Sequence, residues 1–143
     1  MYINYFNAVC KPGQNINPIV SYLGIEIIRY ELGSVVFRLP YKSEFHQGAG
    51  RIAGGIIATL IDESMAHAVL TSIDENSITA TIEMNVRYLK AITEGSMESH
   101  ARIVRQGRSV ITTAADIFDE NGVMIAQGGG SFWVGQRHSK PLF

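Results

Sequence analysis

The sequence predicts an α+β fold in which one long central helix is wrapped by an antiparallel sheet of about six strands. Two observations lead to this expectation. The stretch His46–Leu70 (HQGAGRIAGGIIATLIDESMAHAVL) begins as a glycine-rich loop and continues as one long apolar segment. Most of the remaining chain shows alternating apolar residues between turn residues, which is typical of strands. A far-UV circular dichroism spectrum dominated by helix would contradict this fold.

The composition is that of a single globular domain, residues 1–143. With 143 residues and 46% hydrophobic content, the chain can bury a substantial core. Its formal net charge of −1 gives no general attraction to nucleic acid. The single cysteine, Cys10, excludes an intrachain disulfide and fits a reducing compartment, so we expect a cytoplasmic protein. A signal-peptide pattern and a membrane-span length are both missing, so no membrane association is expected.

The central helix is predicted from the spacing of its apolar residues, which follows the 3.6-residue period of a helix that buries one side. The glycines of the preceding loop end where this pattern begins. The periodic positions are Ile56, Ile57, Leu60, Ile61, Met65, Ala68 and Val69.

The other elements follow from alternation and turn residues. Residues 1–18 show no clear period, so we expect an N-terminal arm, extended or as a short helix, packed on the domain surface. Turns are expected at Leu32–Gly33 and Asp119–Gly122, and residues 136–143 are expected to form a frayed tail. The expected strands are Leu23–Tyr30, Val35–Leu39, Thr79–Tyr88, Ser96–Val104, Arg108–Phe118 and Val123–Val134.

Two of these strands carry more specific signals. In the last one, the consecutive glycines Gly128–Gly130 predict a bulge or a close approach by another backbone. The strand after the helix alternates over its whole length, which predicts two distinct faces. One face would carry Ala80, Ile82, Met84, Val86 and Tyr88, and the other Thr79, Thr81, Glu83, Asn85 and Arg87.

Asp62 is the first candidate for chemistry, because it lies within the apolar helix. A carboxylate in such surroundings is unfavourable unless it is paired or used in a reaction. The functional interpretation is a catalytic carboxylate, and the alternative is a structural aspartate hydrogen-bonded to a neighbouring strand. Helical spacing places Ala58, Met65, Ala66 and Val69, which are all small or apolar, on the same side of the helix as Asp62.

The glycines before the helix support the functional interpretation. Gly48, Gly50, Gly54 and Gly55 precede the first helical turn, where unpaired N–H groups carry partial positive charge. Such groups can bind an anion or stabilise an oxyanion, and glycine lets a substrate approach the backbone closely. A flexible turn is the alternative for the loop alone, whereas loop, helix and internal Asp together are more specific.

These motifs resemble a known family. The segment G-R-I-A-G-G-I-I-A-T-L-I-D-E is similar to the helix signature of hotdog-fold acyl-CoA thioesterases of the phenylacetic-acid-degradation type. The segments M-N-V-R-Y-L-K-A, R-Q-G-R and F-D-E-N-G-V-M-I-A-Q fit the same family, so the resemblance covers roughly residues 20–135. It implies a hotdog fold and hydrolysis of a CoA thioester to a free acid and CoA.

The resemblance also implies roles for single residues. Asp62 matches the catalytic carboxylate, and Gly54 matches the residue whose N–H polarises the thioester carbonyl. Gln47 falls near a polar pocket position, and Thr81 falls near a Ser or Thr that orients the attacking water. The family pattern often has His before the paired glycines, where this chain has Ala53.

Further substrate contacts are expected from residue type and position. Gly55 and His46 lie in the same loop-to-helix region as Gly54. Arg105 and Arg108, with Lys90 as a lesser candidate, could hold the CoA phosphates. For His46 the alternative is a surface or structural role, and for the arginines it is a solvated turn.

Several other chemistries are not indicated. His67 follows Asp62 by five residues, about 500° around a helix, so the two side chains do not share a face. A metal-ligand cluster and a serine nucleophile elbow are both missing from the sequence, so neither a metal nor a serine nucleophile is expected. We expect no cofactor, because CoA would be part of the substrate.

Two alternatives to a thioesterase remain. A hotdog-fold enoyl-CoA hydratase or dehydratase would need a His beside a carboxylate, which His46 could supply, but the motif G-D-x-N-P-x-H of related hydratases is missing. A non-catalytic acyl-CoA-binding protein would be expected to carry an added partner segment. Asp62 together with Gly54 favours hydrolysis.

The spacing of these two residues also predicts assembly. Gly54 and Asp62 are eight residues apart, about 12 Å along a helix, whereas reacting groups must meet within ~3 Å of one carbonyl. Two antiparallel helices related by a two-fold axis would bring Gly54 of one subunit to Asp62 of the other. The resemblance implies the same arrangement, so a homodimer or a homotetramer built of two dimers is expected.

Overall fold

The computed structural model describes residues 1–137 and shows a six-stranded antiparallel sheet wrapped around one long helix. The strand order is β1-β2-β4-β5-β6-β3, so β1 and β3 form the two edges. This confirms the predicted α+β architecture. The helices are α1 (Ile3–Val9), α2 (Pro18–Leu23) and α3 (Gly54–Leu70), and the strands are β1 (Glu26–Glu31), β2 (Ser34–Leu39), β3 (Ser77–Tyr88), β4 (Met97–Gln106), β5 (Val110–Asp119) and β6 (Met124–Gln136).

Helix α3 lies in the concave face of the sheet and forms the centre of the core. Leu60, Ile61 and Met65 are completely buried. Fully burying an aliphatic side chain of this kind stabilises a fold by about 1.5–3 kcal/mol. The opposite side of α3 carries residues such as Gly55, Ala58 and Asp62 that remain at least partly exposed. The predicted apolar period therefore marks the buried side correctly.

Two glycines of β6 allow α3 to approach the sheet closely. A Cβ atom on Gly128 would lie 2.6 Å from Ile61 Cγ2, and one on Gly130 would lie 3.0 Å from Met65 Cε. The predicted close approach by another backbone is also present, because the same Cβ atoms would lie 3.2 Å from Asn85 O and 3.0 Å from Glu83 O of β3. The adjacent pairing of β6 with β3 keeps its register across all three glycines.

The N-terminal arm is more deeply integrated than the sequence indicated. Phe6 of α1 is completely buried and stacks on Tyr30 of β1, with ring centroids 4.4 Å apart. The short-helix alternative for the arm therefore describes α1, and the buried Phe6 makes one side of this helix part of the core.

Helix α2 occupies residues that the sequence assigned to the end of the arm and the start of the first strand. Asn17 Oδ1 accepts a hydrogen bond from the N–H of Val20 (3.3 Å), and Pro18 occupies the first helical position. Gly24 ends the helix with φ 77°, a conformation that favours glycine. The prediction of a strand from Leu23 was wrong for this reason, and β1 begins at Glu26.

A bulge divides β3 into two parts. Thr81 pairs with Phe132 and Glu83 with Ser131, so Ile82 has no partner in the ladder and is 54% exposed. After the bulge, Tyr88 contacts α3, so the face that was predicted to carry Met84, Val86 and Tyr88 is the one turned toward the helix. Before it, Thr81 contacts α3, although the sequence placed Thr81 on the opposite face. The uniform alternation was therefore wrong at its N-terminal end, since the extra residue reverses the faces.

The C-terminal strand extends further than predicted. Gln136, the first residue of the expected tail, is the last residue of β6, and the N–H of Arg137 donates to Asn76 O (2.7 Å). The rest of the expected tail, residues 138–143, lies outside the described residues. None of the helices within residues 1–137 has the length and apolarity needed to cross a membrane.

Candidate active site

Asp62 lies in the middle of α3, on the side that the core does not cover. The side chain is partly buried, and Thr81 Oγ1 donates a hydrogen bond to its Oδ1 (2.9 Å). Its second oxygen, Oδ2, makes no hydrogen bond to any residue within 1–137. The structure therefore brings the two predicted residues together and leaves one carboxylate oxygen available to a water molecule or a substrate.

The first turn of α3 offers backbone donors. Ala53 precedes the helix and has no side chain that could cap it, and the first bond of the turn runs from Ile56 N–H to Ala53 O (3.0 Å). The N–H groups of Gly54 and Gly55 meet no acceptor in the described part of the chain. Unpaired donors at the positive end of a helix favour an oxygen that carries negative charge.

A cavity of about 290 Å³ opens beside this first turn. Three of the predicted residues, Gln47, Gly54 and Lys90, lie in its wall. The other residues that line it are Arg51, Ile52, Ile57, Tyr88, Leu89, Ala91 and Ile92. The wall thus combines apolar side chains with a few polar groups, as is usual where small molecules bind.

Tyr88 is a residue of this cavity that the sequence did not single out. Its hydroxyl donates to the carbonyl oxygen of Gly54 over 2.7 Å. In the sequence Tyr88 only ended an alternating strand. The sequence did contain one indication, since Tyr88 is the only residue with a hydroxyl on its face of the strand. A tyrosine hydroxyl at the edge of a core usually finds a hydrogen-bond partner, so a contact could have been expected there.

The other predicted contacts are more dispersed. His46 Nε2 donates to Thr93 O (2.6 Å), so this side chain is held by the loop after β3 and does not line the cavity. Lys90 Nζ donates to Asp119 Oδ2 (2.8 Å) at the C-terminal end of β5. Arg105 and Arg108 are exposed and lie near the turn before β5.

Within one chain, Lys90 and the two arginines cannot bind the same phosphate. They lie at opposite ends of the ten-residue strand β5, which spans roughly 33 Å at 3.3 Å per residue. Similarly, α3 is continuous from Gly54 to Leu70, so Gly54 and Asp62 are separated by about 12 Å along its axis.

Next to Asp62, a partly buried network ties the N-terminal arm to α3. Asn17 Nδ2 donates to Glu63 Oε2 (3.1 Å) and to Tyr5 Oη (3.2 Å). Tyr5 Oη lies 2.8 Å from Nε2 of the fully buried His67, whose Nδ1 lies 2.6 Å from Glu63 O. Since a carbonyl can only accept, Nδ1 carries the proton and Nε2 accepts from Tyr5. His67 is therefore neutral and structural, and it does not pair with Asp62, as predicted.

The network also sets two protonation equilibria. Burial lowers the pKa of His67 from 6.5 to about 4, despite the hydrogen bond to Glu63 O. Burial also raises the pKa of Glu63, which the Asn17 hydrogen bond opposes and the neighbouring Asp62 carboxylate increases. Both shifts have the same cause, because an apolar environment disfavours the charged form of either group.

We expect His67 to make the protein less stable in mild acid. Between pH 6.5 and about 4 the unfolded state binds a proton at His67 that the folded state does not. The free energy of unfolding should therefore fall by on the order of 3 kcal/mol as pH drops through this range, and this residue should cause no further loss below it. The raised pKa of Glu63 acts in the opposite direction and offsets part of the loss.

Urea unfolding at pH 7, 5.5 and 4.5 measures this effect. The matched variant His67→Gln lacks the titrating ring and should show a much shallower dependence on pH. An equally steep dependence in that variant would assign the acid sensitivity to other groups.

No group of three or more His, Cys, Asp or Glu side chains within residues 1–137 is arranged to hold a metal ion.

Comparison with known proteins matches residues 49–126 to the sequence model of the thioesterase superfamily. A Halobacterium salinarum protein that is named as an esterase is 33% identical over 127 residues, which covers 81% of this chain and 83% of that protein. Acyl-coenzyme A thioesterase 13 of Homo sapiens is 26% identical over 120 residues, with 82% and 79% covered. A crystal structure of a phenylacetic acid degradation-related protein from Ralstonia eutropha superposes with a TM-score of 0.82 at 20% identity, with 91% and 99% covered.

Proposed function

The chain belongs to the thioesterase superfamily of hotdog-fold thioester hydrolases, and from this premise we propose that it hydrolyses an acyl-CoA to a free acid and CoA. One arrangement on α3 carries this proposal. Asp62 presents a carboxylate with one unoccupied oxygen, and the first turn of the same helix presents two unpaired N–H groups. A thioester hydrolase needs a group that activates water and a group that stabilises the oxyanion.

In the proposed reaction, the N–H groups at the start of α3 bind the carbonyl oxygen of the thioester. Asp62 accepts a proton from a water molecule, whose oxygen attacks the carbonyl carbon. The carbon–sulfur bond then breaks, and the leaving sulfur takes the proton from Asp62, so that CoA departs as the thiol and the carboxylate is restored. Direct attack by the carboxylate, followed by hydrolysis of the resulting anhydride, is the second possible role for Asp62. Thr81 fixes the orientation of Asp62 in either case.

We propose that each active site is shared by two chains. The 12 Å between Gly54 and Asp62 is too long for one carbonyl to contact both, whereas two antiparallel helices would bring these residues together. The long edge strand β3 supports a paired assembly. It has twelve residues, and most of its positions between Ala80 and Tyr88 are exposed. An edge strand of this kind is a template for pairing with another chain.

The remaining predicted contacts are assigned to the CoA ester. Gln47 and Lys90 lie in the cavity beside Gly54, where they can contact the substrate directly. Arg105 and Arg108 are proposed to bind CoA phosphates, since guanidinium groups suit bidentate phosphate contacts. His46 is held by Thr93 O, so we place it at the periphery of the substrate. The reaction consumes only water and the ester, so we propose that no resident cofactor takes part.

A panel of short, long and aromatic acyl-CoA esters, assayed for thiol release, tests the proposal. We expect at least one class to be hydrolysed at a rate that depends on Asp62. Enoyl-CoA esters form a second arm of the panel, because hydration without thiol release would identify a hydratase. Tight binding of the esters without any turnover would instead identify an acyl-CoA-binding protein, and either result would refute the hydrolase.

A further inference from the structure

We propose that Tyr88 is a positioning residue of the oxyanion site, which acts through the peptide group between Gly54 and Gly55. The inference rests on the proposed hydrolase and adds a second donor to its oxyanion site. In this arrangement the N–H of Gly55 joins the N–H of Gly54 in binding the thioester oxygen. The hydroxyl of Tyr88 strengthens the Gly55 donor by polarising the peptide group to which it belongs.

The geometry of the hydrogen bond supports this role. Tyr88 Oη donates to Gly54 O over 2.7 Å, the usual distance for a well-formed hydroxyl hydrogen bond. Gly54 O and the N–H of Gly55 belong to one peptide group, so electron density drawn toward the oxygen makes the N–H a better donor. Estimates of such cooperative strengthening are about 10–30% per bond. The Gly55 N–H has no acceptor within residues 1–137, so the strengthened donor is available to a substrate.

The ring of Tyr88 also explains why residue 54 is glycine. A Cβ atom on residue 54 would lie 3.0 Å from both Cζ and Oη of Tyr88. Any larger side chain would therefore displace the phenol and lengthen its hydrogen bond. Gly55, by contrast, has open space around the position of a Cβ atom. The sequence pair Gly-Gly thus serves two needs: the first glycine admits Tyr88, and the second leaves its N–H accessible.

The position of Tyr88 in the cavity separates the roles of its hydroxyl and its ring. The residue is 51% exposed and shares the cavity wall with Gln47 and Ile57. The ring therefore meets whichever acyl group enters, which affects binding. The hydroxyl bonds Gly54 O and acts, through the Gly55 N–H, on the thioester carbonyl oxygen, whose negative charge grows toward the transition state. Loss of the hydroxyl should therefore lower kcat, and loss of the ring should also raise KM.

The substitution Tyr88→Phe removes the hydroxyl and keeps the ring. We expect a fall in kcat of about two- to eightfold, less than the 10²–10³ that follows removal of a direct oxyanion donor, because the N–H itself remains and loses only its added polarisation. KM should stay within about twofold and Tm should be unchanged, since the bond is exposed and contributes little to stability. Tyr88→Leu should show the same loss in kcat together with a raised KM.

Two tyrosines serve as matched controls. Tyr22 is 78% exposed and its hydroxyl makes no hydrogen bond in the described chain, so Tyr22→Phe should change neither Tm nor kcat. Tyr5 bonds the buried His67, so Tyr5→Phe should lower Tm and leave kcat close to wild type. A purely structural Tyr88 would behave like Tyr5.

A spectroscopic measurement reports the polarisation directly. Benzoyl-CoA labelled with ¹³C at the carbonyl is bound to the Asp62→Asn protein, and its carbonyl stretch is recorded by infrared difference spectroscopy. We expect the stretch to lie at lower frequency with Tyr88 present than in the Asp62→Asn, Tyr88→Phe double variant. An unchanged frequency together with an unchanged kcat in Tyr88→Phe would overturn the role of Tyr88.

The two proposals fail in different ways. Absence of thiol release from every ester by the wild-type protein would refute the hydrolase and, with it, this inference. Hydrolysis that depends on Asp62 but not on the Tyr88 hydroxyl would leave the hydrolase intact and refute only the role of Tyr88.

Discussion

Replacing Asp62 by Asn is expected to lower thioester turnover by at least ~100-fold, the usual contribution of a general base. Asparagine keeps an Oδ1 that can accept the hydrogen bond from Thr81, so the fold should be preserved. It cannot accept a proton from water or act as a nucleophile. The measurement is kcat for thiol release, with Tm as the check on folding.

The neighbouring carboxylate provides the matched control for this variant. Glu63 follows Asp62 directly, but its side chain bonds Asn17 of the N-terminal arm and points away from Thr81. Glu63→Gln removes the same charge one residue away and should retain most of the turnover. A folded Asp62→Asn protein with normal turnover would show that Asp62 is a structural aspartate, since such a residue would make the same bond to Thr81.

Mixed assemblies of two inactive variants are expected to recover activity. One variant is Asp62→Asn, and the other is Gly54→Val, whose side chain would collide with Tyr88 and obstruct the start of α3. If Gly54 and Asp62 of different chains form one site, a mixed dimer has one site with both lesions and one with neither. Random pairing at equal amounts should then restore about a quarter of wild-type activity, because half of the dimers are mixed and each has one intact site.

The control for recovery is a mixture of Asp62→Asn with Asp62→Ala. Neither chain carries the carboxylate, so no pairing can rebuild a complete site. The two proteins are co-refolded in each case, and formation of mixed dimers is verified with two affinity tags. Mixed dimers of Asp62→Asn and Gly54→Val that form but remain inactive would contradict a shared site.

The sequence predicts the centre of this fold well, because its periodic signals are long. Seventeen residues of α3 give the apolar side enough repeats to define it, and the strand from Val35 to Leu39 alternates between buried and more exposed positions as expected. The pairing of Asp62 with Thr81 also agrees with the family resemblance.

The errors lie where a single local feature overrides a pattern. Helix α2 has only six residues, too few for a period, and it is defined by the Asn17 cap, Pro18 and the left-handed Gly24. The distribution of the basic residues depends on strand order, which places Lys90 and Arg108 at opposite ends of β5. Neither spacing nor charge in the sequence encodes that separation. Tyr88 was missed because its partner is a backbone carbonyl distant in sequence.

The bulge at Ile82 constrains the evolution of this sequence. The extra residue is the reason that Thr81 and Tyr88, seven positions apart, both reach the same helix. The identity of the side chain at position 82 does not set this register, which depends on the number of residues between Thr81 and Tyr88. Deleting the residue would turn Thr81 away from Asp62. At this position natural selection would therefore act on the length of the chain more strongly than on the identity of the amino acid.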